Sequence, residues 1–430
     1  MIDEYDLVGV GLGPFNLGLA ALAEPLDDVR ALFVDGREAF SWHPGLLLEG
    51  ARLQVPFLAD LVSLVDPTSR WSFLAYLRKH DRLFPFYFAE RFQIPRREYD
   101  DYCRWVAESL PSCRFGTRVQ AVRWDAGRFL VELCDVATGA PRVVAARNVV
   151  LGVGTEPVVP PSVEPLLGAH VFHAGRYLEH APALAGARDV TVIGSGQSGA
   201  EVFLDLLRRT DDTGWHVRWL TRSPAFAPME YSKLGLEHFT PDYTRYFRQL
   251  SQPVRDRLLP AQWQLYKAIS AETIAEIHDV LYERSIGGRT VPATLMANVA
   301  VEGAGVDAGG YALTCRQTQQ DRTFEVRTDR VVLATGYAAR RPALLDPLAD
   351  LLDLDERGRY RVDSDYRVAL GPAVTGSLFV QNAEAHTHGV GAPDLGLGAW
   401  RSATILNALT GGKAYRLPER TAYTSFGIEA

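Results

Sequence analysis

The residues of this chain best placed to do chemistry are glycines, because two tight turns carry the spacing of phosphate cradles. The run Thr191-Val192-Ile193-Gly194-Ser195-Gly196-Gln197-Ser198-Gly199-Ala200-Glu201 holds a complete G-x-G-x-x-G behind an apolar strand and ahead of the helix-like Ala200 to Leu207. Glycines at those positions let the backbone turn sharply and approach a pyrophosphate, which a helix N-terminus then faces with free N–H groups. A second turn, Gly9-Val10-Gly11-Leu12-Gly13-Pro14-Phe15-Asn16, follows the strand-like Tyr5 to Val8. Pro14 stands where the third glycine of the fingerprint falls, so this turn is a variant. Two such turns in one chain point to a flavin on one and a nicotinamide cofactor on the other.

Each turn has a candidate for the far end of its nucleotide. Asp35 closes the apolar Ala31 to Val34, 24 residues past Gly11. A carboxylate there accepts ribose hydroxyls, or it serves as a strand-end turn residue. Arg222, 26 residues past Gly196, stands where an NAD site carries an acid and suits a 2′-phosphate instead, which favours NADPH over NADH. The expected NADPH set is therefore Gly194, Gly196, Gln197, Ser198, Gly199 and Arg222. The expected FAD set begins with Gly9, Gly11, Gly13, Pro14, Asn16 and Asp35. Trp42, His43 and Gln54 add the apolar faces and polar edges that a flavin ring needs, although His43 by spacing alone also reads as a structural histidine. Val119, in the alternating stretch Arg114 to Arg147, joins that set. Near the C-terminus Pro393-Asp394-Leu395 precedes the final helix-like segment and sets free N–H groups at the flavin's pyrimidine edge.

These sites need a large scaffold, and 430 residues at 47% hydrophobic provide two or three domains. Lys+Arg 45 against Asp+Glu 52 gives a net charge of −7, which argues against a nucleic-acid partner and leaves no polybasic membrane patch. No apolar run approaches the ~18 residues of a membrane span and the N-terminus goes straight into a strand, so a cytoplasmic location is expected. Cys103, Cys113, Cys134 and Cys315 form no C-x-x-C pair and have no His at zinc-ligand spacing, so neither dithiol exchange nor a metal is expected.

The expected architecture is α/β, with two Rossmann-like dinucleotide-binding domains and a small helical substrate-binding region. Leu151 to Thr155 and Val331 to Tyr337 both read as buried β-runs breaking at small residues. With the Pro-rich Glu156 to Pro161 they suggest a nicotinamide domain inserted in a flavin domain. The expected division is 1–184 for the first part of the FAD domain and 185–330 for the NADPH domain. The latter includes a helical elaboration about 241–286 that serves as a lid or as plain scaffold. Residues 331–412 complete the FAD domain and substrate region, and 413–430 form a polar tail, partly ordered at best.

Taken together, these motifs resemble the flavin-dependent N-hydroxylating monooxygenases of siderophore biosynthesis, which act on lysine, ornithine or diamines. The resemblance runs nearly end to end, through Gly11 to Leu17, Trp42-His43-Pro44-Gly45, Leu53 to Leu61, Gly194 to Gly199, Phe239-Thr240-Pro241, Ala334-Thr335-Gly336-Tyr337 and Thr387-His388-Gly389. It is strongest to members acting on decarboxylated diamines in desferrioxamine-type pathways. The resemblance implies that NADPH reduces FAD, that O2 adds to give a C4a-hydroperoxyflavin, and that the substrate amine attacks it without any covalent nucleophile from the protein. It also implies Gln54 beside the flavin and Tyr266 near the nicotinamide ribose, and a homo-oligomer, dimer or tetramer, is expected.

Departures from the family pattern bear on the substrate. Amino-acid hydroxylases of this family carry a Lys for the substrate carboxylate where this chain has Ala59. A Ser becomes Gly396, and a polar residue becomes Leu236. The implied substrate lacks a carboxylate: cadaverine or putrescine, with L-lysine N6- or L-ornithine N5-hydroxylation as the alternative. Glu237 and Asp394 are then the candidate partners for the distal ammonium. A ketone-oxidising flavin monooxygenase is the runner-up class, but Phe172-His173-Ala174-Gly175-Arg176-Tyr177 lacks its F-x-G-x-x-x-H. A flavin-binding redox sensor has little use for Arg222.

Overall fold

The computed structural model describes residues 2–307 and 309–428. Its first sheet is built around Asp3–Val10, whose last four residues are buried. That strand pairs in parallel with Ala31–Val34 on one side and Pro141–Leu151 on the other, setting Gly9 beside both Phe33 and Val150. Ser377–Val380 pairs in parallel on the outer side of Pro141–Leu151, so the last third of the chain returns to the sheet of the first. Such a sheet is covered on both faces. The helix Pro14–Ala23, buried along nearly its whole length, packs against the final helix Gly398–Thr410. A hairpin, Thr117–Asp125 with Arg128–Asp135, joins the same sheet antiparallel to Pro141–Leu151.

The second sheet runs in the order Ala293–Met296, His216–Leu220, Asp189–Ile193, Arg330–Leu333, Val171–His173, all parallel. It has its own core, in which Val192, Trp219 and Val332 meet Phe203 of the helix Gln197–Arg208. Two Rossmann-like units of one α/β protein result. Val171–His173 lies ahead of residue 185, where the sequence pattern starts the second unit, yet it pairs with Arg330–Leu333 in the second sheet. A three-residue strand is too short to announce itself by alternation. The chain passes between the sheets through Glu156–Pro157 and Tyr337–Ala338, which pair antiparallel with each other.

Helices Pro241–Gln249, Gln252–Ala261, Trp263–Tyr266 and Ala271–Ser285 fill the expected helical stretch. The first packs on the short helix Ala385–His388, and buried Phe247 and Val390 share a small core there. One buried ion pair locks the units together. Arg96, at the start of the helix Arg96–Ser109, reaches both carboxylate oxygens of Glu201 at 2.8 and 2.9 Å and the Leu46 carbonyl at 2.8 Å.

The tail is a correction to the sequence reading. Asn407 holds both the N–H and the carbonyl of Tyr415 at 2.8 Å, and the Tyr415 hydroxyl donates to Leu22 at 2.6 Å. Farther on, Asp242 accepts from Thr421 and Ala422, and Phe426 packs on Tyr243 and His238. Polar composition concealed this, because most of the partners, Leu22, His238, Asp242 and Tyr243, are remote in sequence. No helix among the described residues is long and apolar enough to cross a membrane.

Candidate active site

At the first turn the backbone enters a left-handed conformation at Gly11 (φ +86°), where a Cβ would stand 2.6 Å from the Gly152 carbonyl oxygen. Only glycine meets both demands. Gly9 is equally confined, since a Cβ there would lie 2.1 Å from the Phe33 ring. Gly13 by contrast faces open space and starts the helix Pro14–Ala23 with no side-chain cap. The first N–H groups of that helix are left for an anion, and Pro14 sits where a missing N–H costs nothing.

Two of the expected cofactor residues have side chains held by the chain itself. Asn16 is fully buried; its amide donates to the carbonyls of Val10 at 3.1 Å and Gly11 at 2.8 Å and accepts from Gln381 at 2.7 Å. Its side chain braces the turn, while its backbone N–H remains among those at the helix start. Asp35 accepts from Leu12 N–H and Arg37 N–H, both at 2.8 Å, and from the Arg37 side chain. Burial alone would raise its pKa, but the Arg37 and backbone hydrogen bonds outweigh burial and hold it below the ordinary carboxylate range. These bonds fit the turn-residue role, and they leave the ribose role open. Val119 lies at a bulge in the hairpin strand Thr117–Asp125, whose first N–H donates to the Asp35 carbonyl at 2.9 Å.

Around the expected ring position, the Trp42 N–H donates to Asp100 at 2.6 Å, and the His43 ring meets Trp42 edge-on at 4.9 Å and Tyr337 at 6.0 Å. Protein crowding and the Arg96 charge lower the His43 pKa, so its imidazole is neutral at pH 7. The Gln54 amide nitrogen is buried without any hydrogen-bond partner. A buried orphan donor at this place is what an acceptor on a bound ring edge would satisfy. Leu395 joins Pro14, Phe15, Leu61 and Tyr99 around a small cavity, which brings the Pro393-Asp394-Leu395 turn against the first helix.

Three of the five expected substrate residues come together. The Cβ position of Gly396 is 2.8 Å from an Asp394 carboxylate oxygen and 3.9 Å from the Ala59 Cβ. Asp394 also accepts the Gly396 N–H at 2.7 Å. Enclosure by protein pushes its pKa up to about 6, against the pull of the Gly396 N–H and Arg401. Sequence reasoning missed two neighbours. The Tyr231 hydroxyl donates to the Gln54 carbonyl at 3.2 Å, and burial, then the charges of Glu272 and Asp394, push its pKa up to about 12. Arg401, fully buried and 3.2 Å from Glu384, donates to the Ala392 carbonyl at 2.6 Å beneath the same turn. Neither has a local motif.

Leu236 and Glu237 lie elsewhere, on the turn Gly235–Phe239. Glu237 is a correction: its carboxylate accepts the Tyr423 and Thr424 N–H groups at 3.0 and 2.9 Å, and these tail contacts hold its pKa low. It is engaged by the folded-back tail and is withdrawn as an ammonium partner.

The second turn repeats the steric logic. Gly194 (φ +122°) would place a Cβ 2.1 Å from the Ala334 carbonyl oxygen, and Gly199 would place one 2.3 Å from that of Gly194. Gly196 starts the helix Gln197–Arg208 without a side-chain cap, and Ser198 is half-buried in its first turn. The Gln197 amide is spent inside the protein, on Glu201 at 2.9 Å, Thr273 at 3.1 Å and Ser270 N–H at 2.8 Å, so it orients the helix and leaves no side-chain contact for a cofactor.

Arg222 is exposed, and the hydroxyl of its neighbour Ser223 meets that of Ser195 at 3.1 Å. Lys267, absent from the sequence reading, joins it. The Lys267 carbonyl stands 3.4 Å from the Gly196 Cβ position, and its ammonium lies 5.1 Å over the Tyr266 ring. Burial and then the Arg222 charge lower its pKa. Two like charges beside a phosphate turn are arranged for an anion. Tyr266 acts as the platform under Lys267, its hydroxyl 3.5 Å from the Leu259 carbonyl.

A family model for L-lysine 6-monooxygenase/L-ornithine 5-monooxygenase matches residues 3–339. The chain belongs to this family. It is 42% identical to a putrescine N-hydroxylase of Shewanella oneidensis over 98% of this chain and 84% of the relative. It is 45% identical to the rhizobactin siderophore biosynthesis protein RhbE of Rhizobium meliloti over 99% and 96% of the two chains. Its fold superposes on the FAD-bound cadaverine monooxygenase DfoA of Erwinia amylovora with a TM-score of 0.95 and 38% identity, covering 99% of each chain. In this monooxygenase, then, the two uncapped helix starts, the orphan Gln54 amide and the Arg222–Lys267 pair all lie at sites where a dinucleotide could be held.

Proposed function

We propose that this protein N-hydroxylates one amine of a short aliphatic diamine, cadaverine or putrescine, using FAD, NADPH and O2, in hydroxamate siderophore biosynthesis in the cytoplasm. Bound FAD, reduced by NADPH, supplies the activation of O2 and the transfer of one oxygen atom to the amine nitrogen. The chain supplies position and charge. Gly9, Gly11, Gly13 and Pro14 shape the pyrophosphate turn that Asp35 and Asn16 brace from behind. Trp42, His43, Gln54, Val119 and the Pro393-Asp394-Leu395 turn surround the rest of the flavin. Gly194, Gly196, Ser198 and Gly199 take the NADPH phosphates at the second turn, with Arg222 and Lys267 for the 2′-phosphate and Tyr266 close by. In domain terms, residues 1–184 and 331–412 serve FAD and 185–330 serve NADPH, with Val171–His173 added to the latter's sheet.

The observation that carries the substrate is the Ala59–Gly396–Asp394 cluster. An α-carboxylate brought here would meet another carboxylate, whereas a distal ammonium would meet its counter-charge. Desolvating an unpartnered carboxylate costs several kcal/mol, which a diamine avoids. The reacting amine must be neutral, and its free pKa of ~10.4 leaves few molecules reactive at pH 7. An apolar wall such as Ala59 lowers that value.

The test is a panel of cadaverine, putrescine, L-lysine and L-ornithine scored by hydroxylated product alongside NADPH oxidation. N-hydroxylated diamine should form with NADPH consumption. NADPH loss that yields only hydrogen peroxide with every amine would overturn the reading.

A further inference from the structure

Residues 224–231 leave the second sheet just after the strand His216–Leu220 and Arg222, and their backbone lies along the segment that carries Lys267. Phe226 packs on Trp219 at 4.1 Å between ring centres. Ile269, fully buried, donates its N–H to the Ala227 carbonyl at 3.1 Å and accepts the Met229 N–H at 2.7 Å, and the Glu230 N–H reaches the Gln264 carbonyl at 3.0 Å. The neighbouring Ser270 gives its N–H to the Gln197 side chain at 2.8 Å, in the helix that starts from the second glycine turn. The loop is thus tied, bond by bond, to the frame of that turn. At its tip Tyr231 departs from the frame, and its hydroxyl crosses to the Gln54 carbonyl at 3.2 Å.

Gln54 stands on the other unit. Leu53 before it is buried in the core of the first sheet. The Leu53 N–H donates to the Ile94 carbonyl at 2.9 Å and the Phe57 N–H to the Phe92 carbonyl at 2.8 Å, so the segment is held at both ends, and between them Tyr231 holds the Gln54 peptide. We propose that Tyr231 is a positioning residue for Gln54, its hydroxyl fixing the Gln54 peptide from the second unit so that the unpartnered Gln54 amide stays available to the edge of the bound flavin.

This proposal rests on the reading of Gln54 as a flavin contact. A contact of that kind must be held within ~0.5 Å and 10–20° of its working geometry by groups behind it. The Gln54 amide nitrogen has no hydrogen-bond partner in the protein to hold it, which leaves its direction to the backbone from which it springs. The Tyr231 hydroxyl is a constant donor, because burial, then the charges of Glu272 and Asp394, push its pKa up to about 12 and it keeps its proton throughout the neutral range. A phenylalanine would fill the same space without donating.

The midpoint potential of the FAD-loaded protein, titrated without substrate, tests this independently of which amine is hydroxylated. Reduced flavin is the more electron-rich form, and a donor at its edge favours it, as a hydrogen bond favours any charged form it is made to. Gln54→Ala should weaken the preference for reduced flavin about tenfold, a fall of ~30 mV for a two-electron couple. Tyr231→Phe should give most of that fall, and the double variant should fall no further than Gln54→Ala alone. A wild-type potential in Tyr231→Phe beside a lowered one in Gln54→Ala would overturn the proposal while leaving Gln54 at the flavin. A wild-type potential in both would overturn the reading of Gln54 and the proposal with it. Additive falls in the double variant would also overturn it, since Tyr231 would then act on the flavin by a route of its own.

Discussion

At the first glycine turn the polar side chains nearest the backbone are engaged by the chain itself, whereas the second adds to an engaged Gln197 two nearby cations, Arg222 and Lys267. The side chains of Asn16 and Asp35 are held at the strand ends, and Gln381, from the far end of the sequence, closes the network. Around the second turn, Arg222 stays exposed, and burial and then the Arg222 charge lower the pKa of Lys267. The same fingerprint is thus built once as a closed socket and once as an open dock. A cofactor kept for many turnovers suits the first, and one exchanged every cycle suits the second.

The steepest way to break the comparison is Gly11→Ala. It forces a Cβ into left-handed backbone 2.6 Å from the Gly152 carbonyl oxygen, so the purified variant should carry almost no flavin absorbance. Gly196→Ala meets only the Lys267 carbonyl at 3.4 Å; it should retain flavin and raise the KM for NADPH. Equal flavin loss in both would erase the distinction.

Asp394 belongs to the closed side, and removing one partner of an enclosed charge pair costs more than removing an exposed one. Asp394→Asn should raise the KM for cadaverine by about a hundredfold, measured by product formation, with little change for NADPH. Its pKa is raised to about 6, so the carboxylate is charged above that pH and loses its charge as pH falls through it. The wild-type KM for diamine should climb below about pH 6, roughly tenfold from pH 7 to pH 5, and the Asn variant should lack that limb.

On the open side, Arg222→Ala and Lys267→Ala should each weaken NADPH binding about tenfold, as expected for one charge-assisted contact, and leave NADH unchanged. An unchanged NADPH to NADH ratio would remove that residue from the 2′-phosphate. Smallest of all should be Arg37→Ala. Its pair with Asp35 is half-exposed on the arginine side, so titration of the apo-protein should find FAD affinity only a few-fold weaker.

The turns were legible because strand, glycine spacing and helix start are adjacent in sequence. What escaped depends on distance along the chain. Tyr231 meets Gln54 across 177 residues and Asn16 meets Gln381 across 365, and no window of residues reports such pairs. Glu237 was misjudged for the same reason, since its partners Tyr423 and Thr424 belong to a tail that composition alone would leave loose. Ala59, Gly396 and Asp394 were found by what is missing at two of them, and the fold brings all three within reach of one another.

The central claim is that this cluster selects a substrate without a carboxylate. The most direct measurement is the ratio of kcat/KM for cadaverine to that for L-lysine, both read from hydroxylated product at pH 8. The expected ratio is at least a hundred for wild type and far lower for Ala59→Lys, which places a cation beside Asp394. A wild-type ratio of one or below would contradict the claim and make this chain a lysine hydroxylase.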